Sequence, residues 1–287
     1  DILLTGWYIY TYQDVVFGTK VSLMDEKESI IKCFRNGIIL TISYQVSHLI
    51  FTLDRQFVSV LFTTETYSVY SFAYQLISMV TTIINAVALV LFPALKKKKE
   101  NGVIASYKNH ISLISVVAFG SLIGYYPLLL IIRSLLRDYS GSIIYLSIIF
   151  PGLSLTCCIN IIMFTYYKAL NKHFIFFKIS CVVLAVAAIS NYFAYRLFGS
   201  PSAISVASIF TLVVWYVLCE VYFVKNYKIQ WVKNAVYIAI MMAVSYMVIN
   251  ILNDESIIMV LYSILYLIIT LLFHGNLLKR YLKRRTD

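Results

Sequence analysis

Between Gly37 and Phe273 the chain is a succession of apolar runs, each close to the length of a bilayer-crossing helix and divided by short polar connections. A hydrocarbon core of about 30 Å takes roughly 20 apolar residues per helix. The runs therefore predict spans over residues 37–53, 69–95, 111–132, 143–167, 174–195, 203–224, 235–252 and 257–273. The expected fold is an all-α polytopic membrane protein with about eight transmembrane helices. With 61% hydrophobic and 13% charged residues, the composition excludes a water-soluble domain, in which about 25% of residues are charged.

The basic residues fall on alternate connections. With the chain start on the inner side, that side holds Lys20, Lys27, Lys32, Arg35, Lys96, Lys97, Lys98, Lys99, Lys108, Lys168, Lys172, Lys178, Lys225, Lys228, Lys233, Lys279, Arg280, Lys283, Arg284 and Arg285. The outer side keeps Arg55, Arg133, Arg137 and Arg196, so the inner side has 20 of the 24 basic residues. Cytoplasmic loops retain Lys and Arg during insertion, so this split predicts an even number of spans with both ends of the chain in the cytoplasm. A net charge of +11 on residues that punctuate apolar runs points to anionic lipid headgroups as partners, not to nucleic acid. Cys33, Cys157, Cys158, Cys181 and Cys219 show no CxxC and no Cys/His ligand spacing, so neither a disulfide framework nor a metal site is expected, and no cofactor is implied.

Turn chemistry marks the breaks: Gly141 after Arg137 and Asp138, then Gly199, Ser200 and Pro201, and later Asn253, Asp254 and Glu255. Pro127 and Pro151 fall inside spans, where each removes an intrahelical hydrogen bond and predicts a kink. Tyr166, Tyr167, Tyr192, Tyr195, Tyr222 and Trp231 crowd near helix ends and read as interfacial anchors. Residues 2–13 resemble the tail of an earlier span, and residues 20–36 mix both charge signs as a short amphipathic surface helix does. On this reading the sequence is a C-terminal piece of a longer protein.

Two spans repeat one polar spacing. Thr41, Tyr44, Gln45, His48, Thr52 and Arg55 follow the same steps as Ser71, Tyr74, Gln75, Ser78, Thr82 and Asn85. At 100° per residue each set occupies one helix face, so two helices are able to line a polar cavity. The plainer alternative is hydrogen bonding across helix contacts, worth about 0.6 kcal/mol per bond. Candidate cavity residues are Tyr44, Gln45, His48, Arg55, Tyr74, Gln75 and Asn85. Ionisable groups inside spans cost at least about 2.5 kcal/mol and are retained for a purpose. Asp54 and Glu220 are candidates for holding a coupling cation, with Arg55 attracting an anionic substrate. Alternatively Glu220 snorkels or pairs with Lys225 or Lys168, Asp54 and Arg55 pair with each other, and His48 is a neutral imidazole bonded within the bundle. No HxxxD, HExxH, DxD or GxSxG arrangement is present, the outer connections are short, and no catalytic residue is assigned. A kinked bundle with polar interior stripes suits a transporter and not an enzyme.

Residues 37–97 carry three features in order: a Gly-led helix ending in Leu53, Asp54 and Arg55, the YSVYSFAYQL run at 67–76, and a helix closing on FPAL at 92–95 before a basic loop. In these the sequence resembles bacterial polysaccharide flippases, the O-antigen and capsule exporters of the multidrug/oligosaccharidyl-lipid/polysaccharide superfamily. The resemblance implies a second six-helix lobe plus two C-terminal helices of a fourteen-helix protein: residues 1–35 as the end of an earlier span and a connector, 36–225 as the lobe, and 226–287 as the extra pair with a basic tail. It implies flipping of undecaprenyl-pyrophosphate-linked oligosaccharide repeats across the bacterial cytoplasmic membrane by alternating access. The implied partners are the lipid-linked oligosaccharide and other glycan-assembly proteins. Rival readings are a cation-coupled drug or metabolite exporter of the same superfamily, a membrane-embedded glycan polymerase or acyltransferase, and a membrane scaffold for glycan assembly.

Overall fold

The computed structural model describes residues 2–16, 27–251 and 255–283. The surface helix expected at 20–36 therefore lies in part outside the described residues, as do Lys20, Asn253, Asp254, Arg284 and Arg285. Among the described residues every regular element is a helix. The chain divides into two units, Asp1–Ile42 and Ser43–Asp287. The first contains α1 (Ile2–Thr11), α2 (Gln13–Val16) and the start of α3 (Lys27–Leu61). In α1 the rings of Tyr8 and Tyr12, one turn apart, stack at 6.3 Å.

The second unit continues α3 and adds α4 (Thr64–Lys96), α5 (Glu100–Ser121), α6 (Tyr125–Leu135), α7 (Ser142–Ile149), α8 (Leu153–Cys157), α9 (Phe164–Ala169), α10 (His173–Phe198), α11 (Pro201–Tyr227), α12 (Val232–Ile251) and α13 (Glu255–Lys283). Seven helices among the described residues are long and apolar enough to cross a membrane: Thr64–Lys96, Glu100–Leu135, Ser142–Ala169, His173–Phe198, Pro201–Tyr227, Val232–Asn250 and Ile257–Lys279. The chain is an all-α, multi-pass membrane protein. The first of the eight expected spans, 37–53, lies inside α3 and is not among the seven. Its stripe of Thr41, Tyr44, Gln45, His48 and Thr52 is what dilutes its apolar character.

Both proline breaks occur where the sequence places them. A 3-10 turn at Leu122–Gly124 precedes Pro127, which sits in the first turn of α6, and a second one, Phe150–Gly152, contains Pro151. A π-helical segment, Cys158–Met163, follows within the same span and has no sequence signal. Gly199 closes α10 in the left-handed region at φ 57, which glycine adopts without steric cost. Ser200 then caps α11, its hydroxyl accepting from the Ala203 amide at 3.3 Å, with Pro201 in the first turn, where no N–H is required.

The span Ser142–Ala169 is the centre of the packing, and Phe150, Cys158, Tyr166 and Tyr167 within it are fully buried. This corrects the interfacial reading of two tyrosines. Tyr167 donates to the Cys219 carbonyl at 3.1 Å, and Tyr166 shares a hydrogen bond with His110 Nδ1 at 2.6 Å. A tyrosine whose hydroxyl is satisfied inside the protein has no need of the membrane–water boundary. Tyr192, by contrast, is exposed. Buried Tyr262 and half-buried Tyr266 and Tyr246 likewise satisfy their hydroxyls inside the protein, donating to the carbonyls of Phe119 at 2.9 Å, Val116 at 2.9 Å and Ile148 at 2.7 Å. These bonds tie α12 and α13 to α5 and α7 through backbone carbonyls that helix bonding leaves with a spare lone pair.

Candidate functional site: a polar cavity beside Asp54

A cavity of about 340 Å³ opens within the second unit, in the size range of sites for small polar ligands. One wall comes from α3, through Tyr44, His48, Thr52, Asp54 and Arg55, and a second from α4, through Tyr74, Ser78, Thr81, Thr82 and Asn85. Opposite them stand Thr156 and Asn160 from the span with the π segment, Asn191 from α10, and Ser208 and Thr211 from α11. Five helix walls thus contribute hydroxyls and amides. Phe51, Ile77, Leu153 and Leu212 fill the space between those polar groups.

At one end of the cavity Asp54 is 3% exposed and accepts three hydrogen bonds. Its Oδ1 takes the Arg55 amide at 2.7 Å, and its Oδ2 takes the hydroxyls of Tyr70 and Ser208, each at 3.1 Å. The carboxylate therefore fastens α3 to α4 and to α11. Ser205 extends the network, donating to the Tyr70 hydroxyl at 3.4 Å. The hydrogen bond between Asp54 and Arg55 runs through the backbone. The Arg55 guanidinium instead lies 5.0 Å from the Tyr74 ring centroid and donates from Nη2 to the Phe51 carbonyl at 3.4 Å, while its Nε is buried without a partner. A guanidinium held over a ring, with donors to spare, is equipped to receive an anionic group.

The expected site residues divide. Tyr44, His48, Arg55, Tyr74, Asn85 and Asp54 line the cavity together. Gln45 does not; it faces a separate open groove with Leu49, Gln56, Ser59 and Tyr67, which His48, Thr52 and Arg55 also border. Gln75 is exposed and borders neither space. Each glutamine follows a cavity tyrosine by one position, and the 100° step per residue rotates it off the lining face. His48 is exposed, its ring 6.4 Å from that of Tyr44, so the bundle-bonded imidazole is not what the structure holds.

Glu220 lies outside the cavity and corrects its sequence reading. It is 1% exposed and accepts from the Tyr107 hydroxyl at 2.6 Å, with no lysine or arginine pairing with it among the described residues. Tyr107 is itself stacked on Phe223 at 4.3 Å, so the carboxyl is sealed by aromatic packing and does not snorkel. Sequence reasoning missed Thr156, Asn160, Asn191, Ser208 and Thr211. Each is a polar residue in an apolar run, and only the assembled bundle shows that they converge. No group of three or more His, Cys, Asp or Glu side chains able to hold a metal ion occurs among the described residues.

Residues 2–99, about a third of the chain, match the sequence profile of a family described as polysaccharide biosynthesis protein. The features at 37–97 lie within that stretch, and over it the chain is similar to that family. The family is a membrane transporter family with glycan-related substrates. No curated protein and no solved structure matches the chain.

Proposed function

We propose that this chain forms part of a transporter that moves undecaprenyl-pyrophosphate-linked oligosaccharide repeats from the inner to the outer leaflet of the bacterial cytoplasmic membrane, for surface polysaccharide such as O-antigen or capsule. The single observation that carries the reading is the cavity beside Asp54: hydroxyls and amides from five helix walls, with one guanidinium at its edge, inside a largely apolar bundle. Sugar hydroxyls both donate and accept, and the lining offers both functions. Arg55 would meet the pyrophosphate, and the lipid tail would stay in the bilayer. Within this reading residues 36–225 form the lobe, 226–287 the two added helices, and 1–35 a connector, with both ends cytoplasmic. Anionic headgroups on that side and other glycan-assembly proteins are its partners.

Of the two buried carboxylates, Asp54 has access to the cavity and Glu220 does not, so Asp54 is the coupling-ion candidate that the geometry favours. The work is transport: no step needs a catalytic residue or a cofactor. Deleting the full-length gene tests the proposal. Lipid-linked repeats should accumulate on the cytoplasmic leaflet and surface glycan should fall, with rescue by the wild type and poor rescue by Arg55→Gln. Normal surface glycan with altered drug tolerance would establish the exporter reading instead.

A further inference from the structure

We infer that Asn191 is a specificity-determining residue that reads a hydrogen-bond donor on the sugar portion of the transported substrate. The inference rests on the glycan-transport reading and assigns a role to a residue that neither the sequence pattern nor the family match singles out. Asn191 is 2% exposed, lies two turns from the end of α10 and lines the cavity with Ser208 and Thr211. Its Oδ1 is buried and has no hydrogen-bond partner. Its neighbours are already committed: Ser208 donates to Asp54 at 3.1 Å, and Thr211 shares a bond with Ser190 at 3.2 Å while donating to the Ala207 carbonyl at 3.0 Å.

A buried polar atom with no partner costs stability, and folded proteins hold few of them. A side chain that lines a cavity and carries a free acceptor is therefore one kept for something that enters it. Arg55, which lines the same cavity, carries a second orphan, its buried Nε, and that is a donor. An unpaired acceptor and an unpaired donor call for a ligand that offers both a donor and an acceptor. A bare phosphate offers only acceptors, leaving Asn191 unserved. A sugar hydroxyl and an acylamino group each offer both. The pyrophosphate end thus answers to Arg55, and the sugar to Asn191.

The test uses the full-length protein in proteoliposomes, with polyprenyl-pyrophosphate carrying either a plain hexose or an N-acetylhexosamine as probes. Asn191→Leu keeps the side-chain volume close and removes the acceptor. We expect KM to rise by about three- to tenfold for one or both probes, the range that loss of a neutral hydrogen bond gives, with kcat within about twofold. The probe that loses more identifies whether a hydroxyl or an acylamino N–H is the donor read. The thermal midpoint of the ligand-free variant in detergent should rise or hold, because an orphan amide is replaced by an apolar group; Asn191→Ser, which keeps a shorter acceptor, should lie between. A KM unchanged for both probes overturns the inference, and so does a lowered midpoint, since that marks Asn191 as structural. Wild-type protein that moves neither probe overturns the transport reading itself, and the inference falls with it.

Discussion

Asp54 and Glu220 are both buried carboxyls in an apolar bundle, yet they are provided for in opposite ways. Asp54 accepts three hydrogen bonds, sits beside a guanidinium and borders a polar cavity. Glu220 accepts one bond, from Tyr107, and is enclosed by aromatic rings with no cation paired to it among the described residues. Three donors and a neighbouring guanidinium offset part of the cost of burying Asp54; Glu220 has a single donor to do the same. Burial alone therefore does not mark a working group in a membrane protein. The number of donors and the access to a cavity do.

Four substitutions bear on this contrast, the largest effect first. Asp54→Ala should destabilise the protein by about 3 kcal/mol or more, because it takes the acceptor from the buried Tyr70 hydroxyl, leaves Ser208 only the Ile204 carbonyl of its own helix and unfastens three helices. A denaturation series in detergent would read it, and a loss under about 1 kcal/mol would mean that the network holds nothing together. Tyr107→Phe should cost about 1–3 kcal/mol in the same assay by removing the donor to Glu220, while leaving transport per folded molecule close to wild type. A strong transport defect in well-folded Tyr107→Phe would put Glu220 on a par with Asp54 and erase the distinction.

Gly152→Ala probes the cavity wall without touching a polar group. A Cβ there would collide with the Ile209 Cδ1, the end of a side chain that lines the cavity, so that side chain must shift. A cost of about 1–3 kcal/mol is expected, with a larger effect on transport than on the thermal midpoint. Glu220→Gln should do least, within about 0.5 kcal/mol in a melting curve, since the amide oxygen still accepts from Tyr107. A fall of several degrees on that change would show that the carboxyl does more in its aromatic enclosure than accept one bond from Tyr107.

The near walls of the cavity are legible in sequence because α3 and α4 each repeat a polar step that matches the helical period. The far walls are not. Asn160 and Thr156 have apolar residues on both sides and Asn191 has only Ser190 as a polar partner in its run, and so isolated a polar residue in a span gives no clue to the face it shares with other helices. The proline breaks could be placed because proline acts on its own backbone, whereas the π segment depends on packing and leaves no local signal. Glu220 was misjudged for a related reason: distance along the helix from its end says how far a side chain could reach, and nothing about the aromatic rings that close over it. Gln45 and Gln75 show the resolution of the method. A single residue step separates a lining position from one outside, and a periodic pattern with adjacent polar pairs does not choose between them.

The π segment at Cys158–Met163 adds a mechanical consequence. Its wider turn, closed by the Phe164 amide on the Ile159 carbonyl five residues back, holds one residue more than an α-helical turn of the same height. Asn160 rides on that surplus residue's stretch of backbone. If the bulge migrated by one position, Asn160 would swing by about 100° while the ends of the span stayed where they are. A wall so constructed is able to present or withdraw an amide by local rewinding, with no rigid-body tilt of the surrounding helices.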